Sequence, residues 1–150
     1  MISSPKDHKI VKRILVAPLD WGLGHATRCI PIIRELLSSG AEVIIAADGG
    51  GLLLLKEEFP DLECVNLPGY RMQYSGNRSM NFQVFANVPK IFYRIYKEHK
   101  ELQKLVREFR LDAVISDNRY GLWSRKIYSV FITHQIAIKC PPGLKFLEPI

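Results

Sequence analysis

Apolar residues along the chain follow two alternating rhythms. Short, nearly unbroken apolar runs at 12–17, 42–47, 62–67, 112–116 and 128–133 have strand length, and they predict strands buried in a sheet. Helical spacing fills the gaps between them. Ile30, Ile33, Leu36 and Leu37 repeat within 29–37, and Gly40 stops that helix. Pro31 suits a helix that begins near Arg28 and would kink one that begins earlier. The segment 52–59 predicts a short helix after a glycine-bearing turn at 48–51. Val88, Ile91, Phe92, Ile95, His99, Leu102, Leu105, Val106 and Phe109 keep the rhythm of one long amphipathic helix, with Pro89 at its start or at a kink. A short helical piece is expected at 120–125. Two stretches lack either rhythm: the polar segment 68–80, long enough to be a functional or mobile loop, and 136–150 with its three prolines.

Strands alternating with helices predict an α/β fold, a Rossmann-like parallel sheet with helices on both faces. Such sheets bind ligands beyond the carboxyl ends of their strands, where the strand order reverses. Those ends carry polar or glycine residues throughout: Asp20 to His25, Asp48 to Gly51, Gly69 to Arg71, Asp117 to Arg119, and His134 with Gln135. The other ends carry ordinary connections. One site on one edge is therefore expected. The domain is read as 1–135 with an irregular tail at 136–150. No helix is evident after the fifth strand, so the expectation is the N-terminal part of something longer, or a subunit that a partner completes.

Composition narrows the class. The chain has 150 residues, 47% hydrophobic and 24% charged, which fits one globular domain and argues against disorder. The polar start, 1–13, and the shortness of the first apolar run exclude a signal h-region or a membrane span there, so a cytoplasmic protein is expected. Cys29, Cys64 and Cys140 are odd in number and lack a CxxC pair, which suits reduced thiols rather than disulfides or zinc. The net charge of +6 allows an anionic partner. No nucleic-acid recognition motif accompanies it, so nucleic acid is not expected. Lys90, Arg94, Lys97, Lys100, Lys104, Arg107 and Arg110 stud the long helix among Phe92, Tyr93 and Tyr96. Most of this is a solvated helix face, and the further reading is peripheral contact with the inner membrane face, carrying a lipid-linked substrate.

The chemistry concentrates in Asp20-Trp21-Gly22-Leu23-Gly24-His25-Ala26-Thr27-Arg28. A strand, a glycine turn and a helix offer unpaired backbone N–H groups and partial positive charge, and Gly22 and Gly24 allow an anion close to the backbone. His25 and Arg28 lie one turn apart and can face one ligand. His25 is the candidate general base, since a helix N-terminus favours the neutral ring that a base needs. The alternative is a structural histidine bonded to nearby backbone. Arg28 is the candidate grip on a phosphate or carboxylate. The GxG pair invites a dinucleotide reading, with Asp48 and Gly49 at the second strand end, but Thr27 stands where the third glycine belongs, so no cofactor is expected.

Other polar residues carry two readings each. Asp117, with Asn118, is a cap for the following segment or an acceptor for a sugar or nucleotide hydroxyl, the cap being the plainer reading. His134 is equally structural or functional, and His99 reads as a satisfied core residue. No histidine and carboxylate set has metal-ligand spacing, so no metal is expected.

With these residues in view, the sequence resembles the N-terminal domain of GT-B glycosyltransferases, in particular the MurG-like group of family 28 and its bacterial relatives. The likeness is carried by Gly22 to Arg28, by Gly40-Ala41-Glu42-Val43, by Ser116-Asp117-Asn118 and by Phe131 to Gln135. It implies two Rossmann-like domains facing across a cleft. The C-terminal domain, which these 150 residues lack, would hold a nucleotide-sugar donor, and this domain would bind a sugar or lipid-linked acceptor. The resemblance places the base at His25 and implies metal-independent, inverting hexosyl transfer, with this chain alone inactive. Two alternatives remain at this stage: a two-domain nucleotide-sugar epimerase, and a non-catalytic subunit that completes a separate donor-binding chain.

Overall fold

The computed structural model describes residues 11–69 and 80–133, with backbone alone for 80–88. Five parallel strands, β1 (Arg13–Pro18), β2 (Glu42–Ala47), β3 (Glu63–Asn66), β4 (Ala113–Asp117) and β5 (Tyr128–Ile132), form one sheet in the order β3-β2-β1-β4-β5. The order reverses between β1 and β4. Helices α1 (Leu23–Ser38) and α2 (Gly49–Glu58) cover one face, and α3 (Met80–Glu108) covers the other. The expected Rossmann-like architecture is present, and β2 has the bounds read from the sequence.

The core has two halves, one on each face of the sheet. Val16, Val43 and Ile45 turn to Ala26, Cys29 and Ile33 of α1 and Leu55 of α2. Leu15, Ile44 and Val114 turn to Leu102 and Leu105 of α3. Alternate residues of β1 and β2 thus serve opposite faces, and the runs are apolar throughout because both faces are buried.

Three expectations are corrected. The glycines at 49–51 are the first turn of α2 rather than a turn before it. A Cβ built on Gly50 would lie 3.5 Å from Leu23 Cδ2, and one on Gly51 would lie 3.5 Å from Ala26 Cβ, ordinary contact distances, so α2 lies beside α1 with room for a methyl group at either position. Both prolines lie inside helices. Pro31 sits in an α1 that starts at Leu23, and Pro89 follows an α3 start at Met80. The expected helical piece at 120–125 is a set of turns.

Those turns are shaped by a buried ion pair. Arg119 is fully buried, and its Nε donates to Glu98 Oε1 of α3 at 2.7 Å. Its Nη1 and Nη2 donate to the carbonyls of Leu67 and Pro68 at 3.0 and 3.1 Å. Glu98 Oε2 accepts from the Gly121 N–H at 3.2 Å, and a Cβ at position 121 would come within 2.5 Å of the Ile95 carbonyl. One guanidinium joins the end of β3, α3 and the segment after β4.

The two sheet edges differ. β3 is short and carries Glu63 and Asn66 exposed at its ends. On β5, Tyr128, Val130 and Phe131 are exposed, and among the described residues no strand pairs with its far side. Tyr120, Trp123, Val130 and Phe131 line a shallow apolar cavity of about 210 Å³ beside it. At the amino ends of the strands the polar groups serve structure. Asp112 Oδ2 accepts from the Arg13 N–H at 2.9 Å, and that bond holds its carboxyl below the usual range.

Removing one partner of a buried ion pair leaves the other charge stranded. Glu98→Ala is therefore expected to destabilise the fold by about 3–5 kcal/mol in urea unfolding. Glu101→Ala, at a surface pair with Lys104, is expected to change it by less than about 1 kcal/mol.

Candidate active site

The chain leaves β1 through Leu19 and Asp20 and enters α1 over Gly22, whose φ of 76° is a left-handed value that glycine adopts at no steric cost. A Cβ on Gly24 would meet nothing within 4 Å among the described residues. Trp21 and Leu23 are about half exposed beside it. α1 starts at Leu23, which puts His25 in its first turn and Arg28 one turn later on the same side.

Across the strand-order reversal, β4 ends at Asp117. Its backbone is pinned on both sides: the Leu19 N–H donates to the Asp117 carbonyl, and the Asn118 N–H donates to the Ile132 carbonyl, each at 3.0 Å. Asn118 takes a left-handed φ of 56°, a conformation that asparagine tolerates better than most residues. The Asp117 side chain is fully buried. Its Oδ2 lies 2.9 Å from His25 Nδ1, 3.2 Å from Arg28 Nε and 3.1 Å from Arg28 Nη2. Its Oδ1 has no hydrogen-bond partner among the described residues.

His25 Nδ1 faces one acceptor and one donor. His25 Nδ1 is 2.9 Å from Arg28 Nη2 as well as from the carboxylate. A bare Nδ1 accepts from Arg28 Nη2 but sets its lone pair against a buried carboxylate oxygen. A protonated Nδ1 donates to Asp117 instead, while Arg28, which is a donor only, still reaches the same carboxylate. With Nδ1–H donating to Asp117, Nε2 is the nitrogen with the lone pair. A carboxylate behind an imidazole fixes its orientation and stabilises the imidazolium that forms when the ring takes a proton.

The residues expected at the site separate into groups. His25, Arg28, Asp117 and Asn118 meet where the strand order reverses. Arg28 grips the Asp117 carboxylate, and Asp117 serves His25, a pairing that neither sequence reading of Asp117 contained. Asp48 caps α2 by accepting from the Gly49 N–H at 2.8 Å. Gly49 has a φ of 54°, and a Cβ there would lie 2.7 Å from Asp20 Oδ2, so it is a point of close approach. His134 lies outside the described residues. His99 is half buried against Trp123, with ring centroids 4.4 Å apart, and its Nδ1 lacks a hydrogen-bond partner among the described residues. The pair Glu98 and Arg119 was missed. Its one signal was a charged residue at 98 on the apolar stripe of the long helix.

Cys29 packs beneath this site. Burial pushes its thiol up to about 12, the Asp117 charge adds to the effect, and Arg28 opposes it. A thiol so protonated is a core group rather than a nucleophile. Among the described residues no group of three His, Cys, Asp or Glu is placed to hold a metal ion, and no helix is long and apolar enough to cross a membrane.

A parallel sheet in this order, with helices on both faces, is a Rossmann-like fold of the kind found in GT-B glycosyltransferases. The family model of glycosyl transferase family 1 matches residues 12–132, and the chain belongs to that family. It is 28% identical over 134 residues to an uncharacterized glycosyltransferase of Methanosarcina acetivorans, covering 82% of this chain and 32% of that protein. The solved glycotransferase of kitacinnamycin is similar in fold, with TM-score 0.58, 19% identity, and coverage of 83% of this chain and 30% of that one. Acinetobacter baumannii MurG gives TM-score 0.51 and 18% identity over 82% of this chain and 35% of its own. The chain spans about a third of the length of these proteins.

The Cys29 environment has a consequence for pH. The unfolded thiol titrates near 9.0 and the folded one near 12, so the unfolded chain loses this proton first as pH rises. Stability is expected to fall as pH rises from about 9 towards 12, and Cys29→Ala should remove that part of the slope in urea unfolding at a series of pH values.

Proposed function

We propose that the chain is the acceptor-side domain of a nucleotide-sugar-dependent glycosyltransferase, with His25 as general base and Asp117 as its positioning partner. The observation that carries this reading is the 2.9 Å contact between His25 Nδ1 and the buried Asp117 carboxylate at the reversal of strand order. Family membership supplies the reaction class.

In this reading an acceptor hydroxyl sits against His25 Nε2, with the exposed rim of Trp21 and Leu23 beside it. Nε2 takes the hydroxyl proton as the oxygen attacks the anomeric carbon of the donor sugar. The bond from that carbon to the diphosphate oxygen breaks, and the nucleoside diphosphate leaves. Attack from the face opposite the leaving group inverts the anomeric centre. Asp117 stabilises the imidazolium formed on His25, and Arg28 keeps the carboxylate from being an uncompensated buried charge. A second Rossmann-like domain, C-terminal to this one, holds the donor, so the 150 residues alone do not turn over.

The test uses the full-length protein with a panel of nucleotide sugars and acceptors, read as release of nucleoside diphosphate. His25→Ala is expected to lower kcat by about 10²–10⁴-fold, the usual share of general-base catalysis. Asp117→Asn should lower kcat with a smaller effect on KM, because it disturbs the base rather than binding. Near wild-type turnover in His25→Ala would remove the base assignment.

A further inference from the structure

The Asp117 carboxylate is withdrawn from water, so a counter-charge must stand beside it. Among the described residues only His25 and Arg28 pair with it, and both use the same oxygen. Arg28 sets Nε and Nη2 on Oδ2 at 3.2 and 3.1 Å, beside the imidazole Nδ1 at 2.9 Å. Either cation can neutralise the aspartate, but the two choices leave different chemistry. If the imidazolium does so, both ring nitrogens hold protons and Nε2 has no lone pair to offer. If the guanidinium does so, the ring is free to be neutral. A guanidinium keeps its proton at any ordinary pH, so Arg28 is the permanent cation of the two.

The contact between the two bases points the same way. Arg28 Nη2 lies 2.9 Å from His25 Nδ1, so a second proton on the ring would set like charges at hydrogen-bond distance. The first turn of α1, which holds His25 and no acidic residue, adds partial positive charge. The Arg28 side chain is 37% exposed, so solvent weakens its charge without removing it. Other titratable groups near the ring, among the described residues, are neutral or engaged elsewhere. On α1, the Cys29 thiol is held protonated, its titration pushed up to about 12 by burial. At the start of α2, Asp48 accepts from the Gly49 N–H at 2.8 Å. The Asp20 carboxylate, from the turn after β1, lies over Gly49, with Oδ2 2.7 Å from where a Cβ would stand. The last residues of β1 and β5, Pro18 and Ile132, are uncharged.

We infer that Arg28 is a positioning residue whose charge satisfies Asp117 and so keeps the His25 ring neutral, with Nε2 open to take a proton. This role rests on the reading of His25 as the base, and it adds the condition under which that base is available. Asp117 alone behind the ring would make a stronger base that already holds its proton. With Arg28 beside both, the ring takes a proton less readily and stays neutral to a lower pH than it would next to the carboxylate alone. The same charge opposes the imidazolium formed as the acceptor hydroxyl gives up its proton. Base strength is thus exchanged for base availability.

The test follows kcat/KM against pH in the full-length protein and reads the ring itself by NMR with isotope-labelled histidine. The His25 signal is identified by its loss in His25→Ala. Arg28→Gln keeps a polar side chain without the charge. It is expected to move the acid limb of the profile, and the protonation of the ring, up by about one pH unit. Turnover lost at neutral pH should return in mild alkali, which a merely structural defect would not show. Arg28→Lys restores the charge and should bring both curves back towards wild type. Asp117→Asn removes the opposite charge and should move both curves down, and it serves if Arg28→Gln does not fold. Arg28→Gln curves that superimpose on wild type after scaling, an equal shift in Arg28→Lys, or unmoved curves in Asp117→Asn would overturn the inference. The two claims fail separately. Should His25→Ala keep its turnover, the base assignment falls and the ring titration still decides the role of Arg28. Should the ring titration ignore Arg28→Gln while His25→Ala is inactive, only the role of Arg28 falls.

Discussion

Asp117 and Arg119 are opposite charges, both withdrawn from water within three residues of chain. A buried charge must be compensated, and each of these dictates what surrounds it. Asn118 between them is in a left-handed conformation, and the two side chains serve opposite faces of the sheet. Asp117 collects His25 and Arg28 from α1. Arg119 collects Glu98 from α3 and two carbonyls from the end of β3. The helices on both faces are thus referred to one short segment at the point where the strand order reverses. The orientation of the imidazole follows from that arrangement rather than from α1 alone.

This organisation separates rigidity from access. The carboxylate is inaccessible and multiply bonded, which suits a group that orients the imidazole from behind. The residues that can meet a ligand, Trp21 and Leu23, sit on the rim over glycines. Cys29, beneath the pair, is held protonated by burial, with the Asp117 charge adding to the effect.

What the chain revealed in advance depended on distance along it. The strands were legible because each is a continuous apolar run, and β2 was read to the residue. His25 and Arg28 were legible as neighbours because they are one helical turn apart. Their partner is not local: Asp117 lies 92 residues beyond His25, and a lone aspartate at a strand end looks like a cap. The glycines at 49–51 read as a turn because glycine disfavours helix, yet α2 begins with them, capped by Asp48 and packed beside α1. The turns around Gly121 read as helix for the converse reason. Leu122 and Trp123 supply apolar residues, but the contact of Gly121 with α3 sets the path. In each case a tertiary contact overrode a local tendency.

The outer margin of β5 has a practical bearing. A strand rich in β-branched and aromatic residues, with one row of amide and carbonyl groups unmatched among the described residues, is a template for adding another strand. β3 guards its own margin by shortness and charge, whereas Tyr128, Val130 and Phe131 provide no such guard. Expressed as an isolated segment, the described region would face a solubility problem of its own making, in which copies zip together along β5 and precipitate. A lysine on that margin would act as a gatekeeper against such aggregation without touching the chemistry of the opposite helix face.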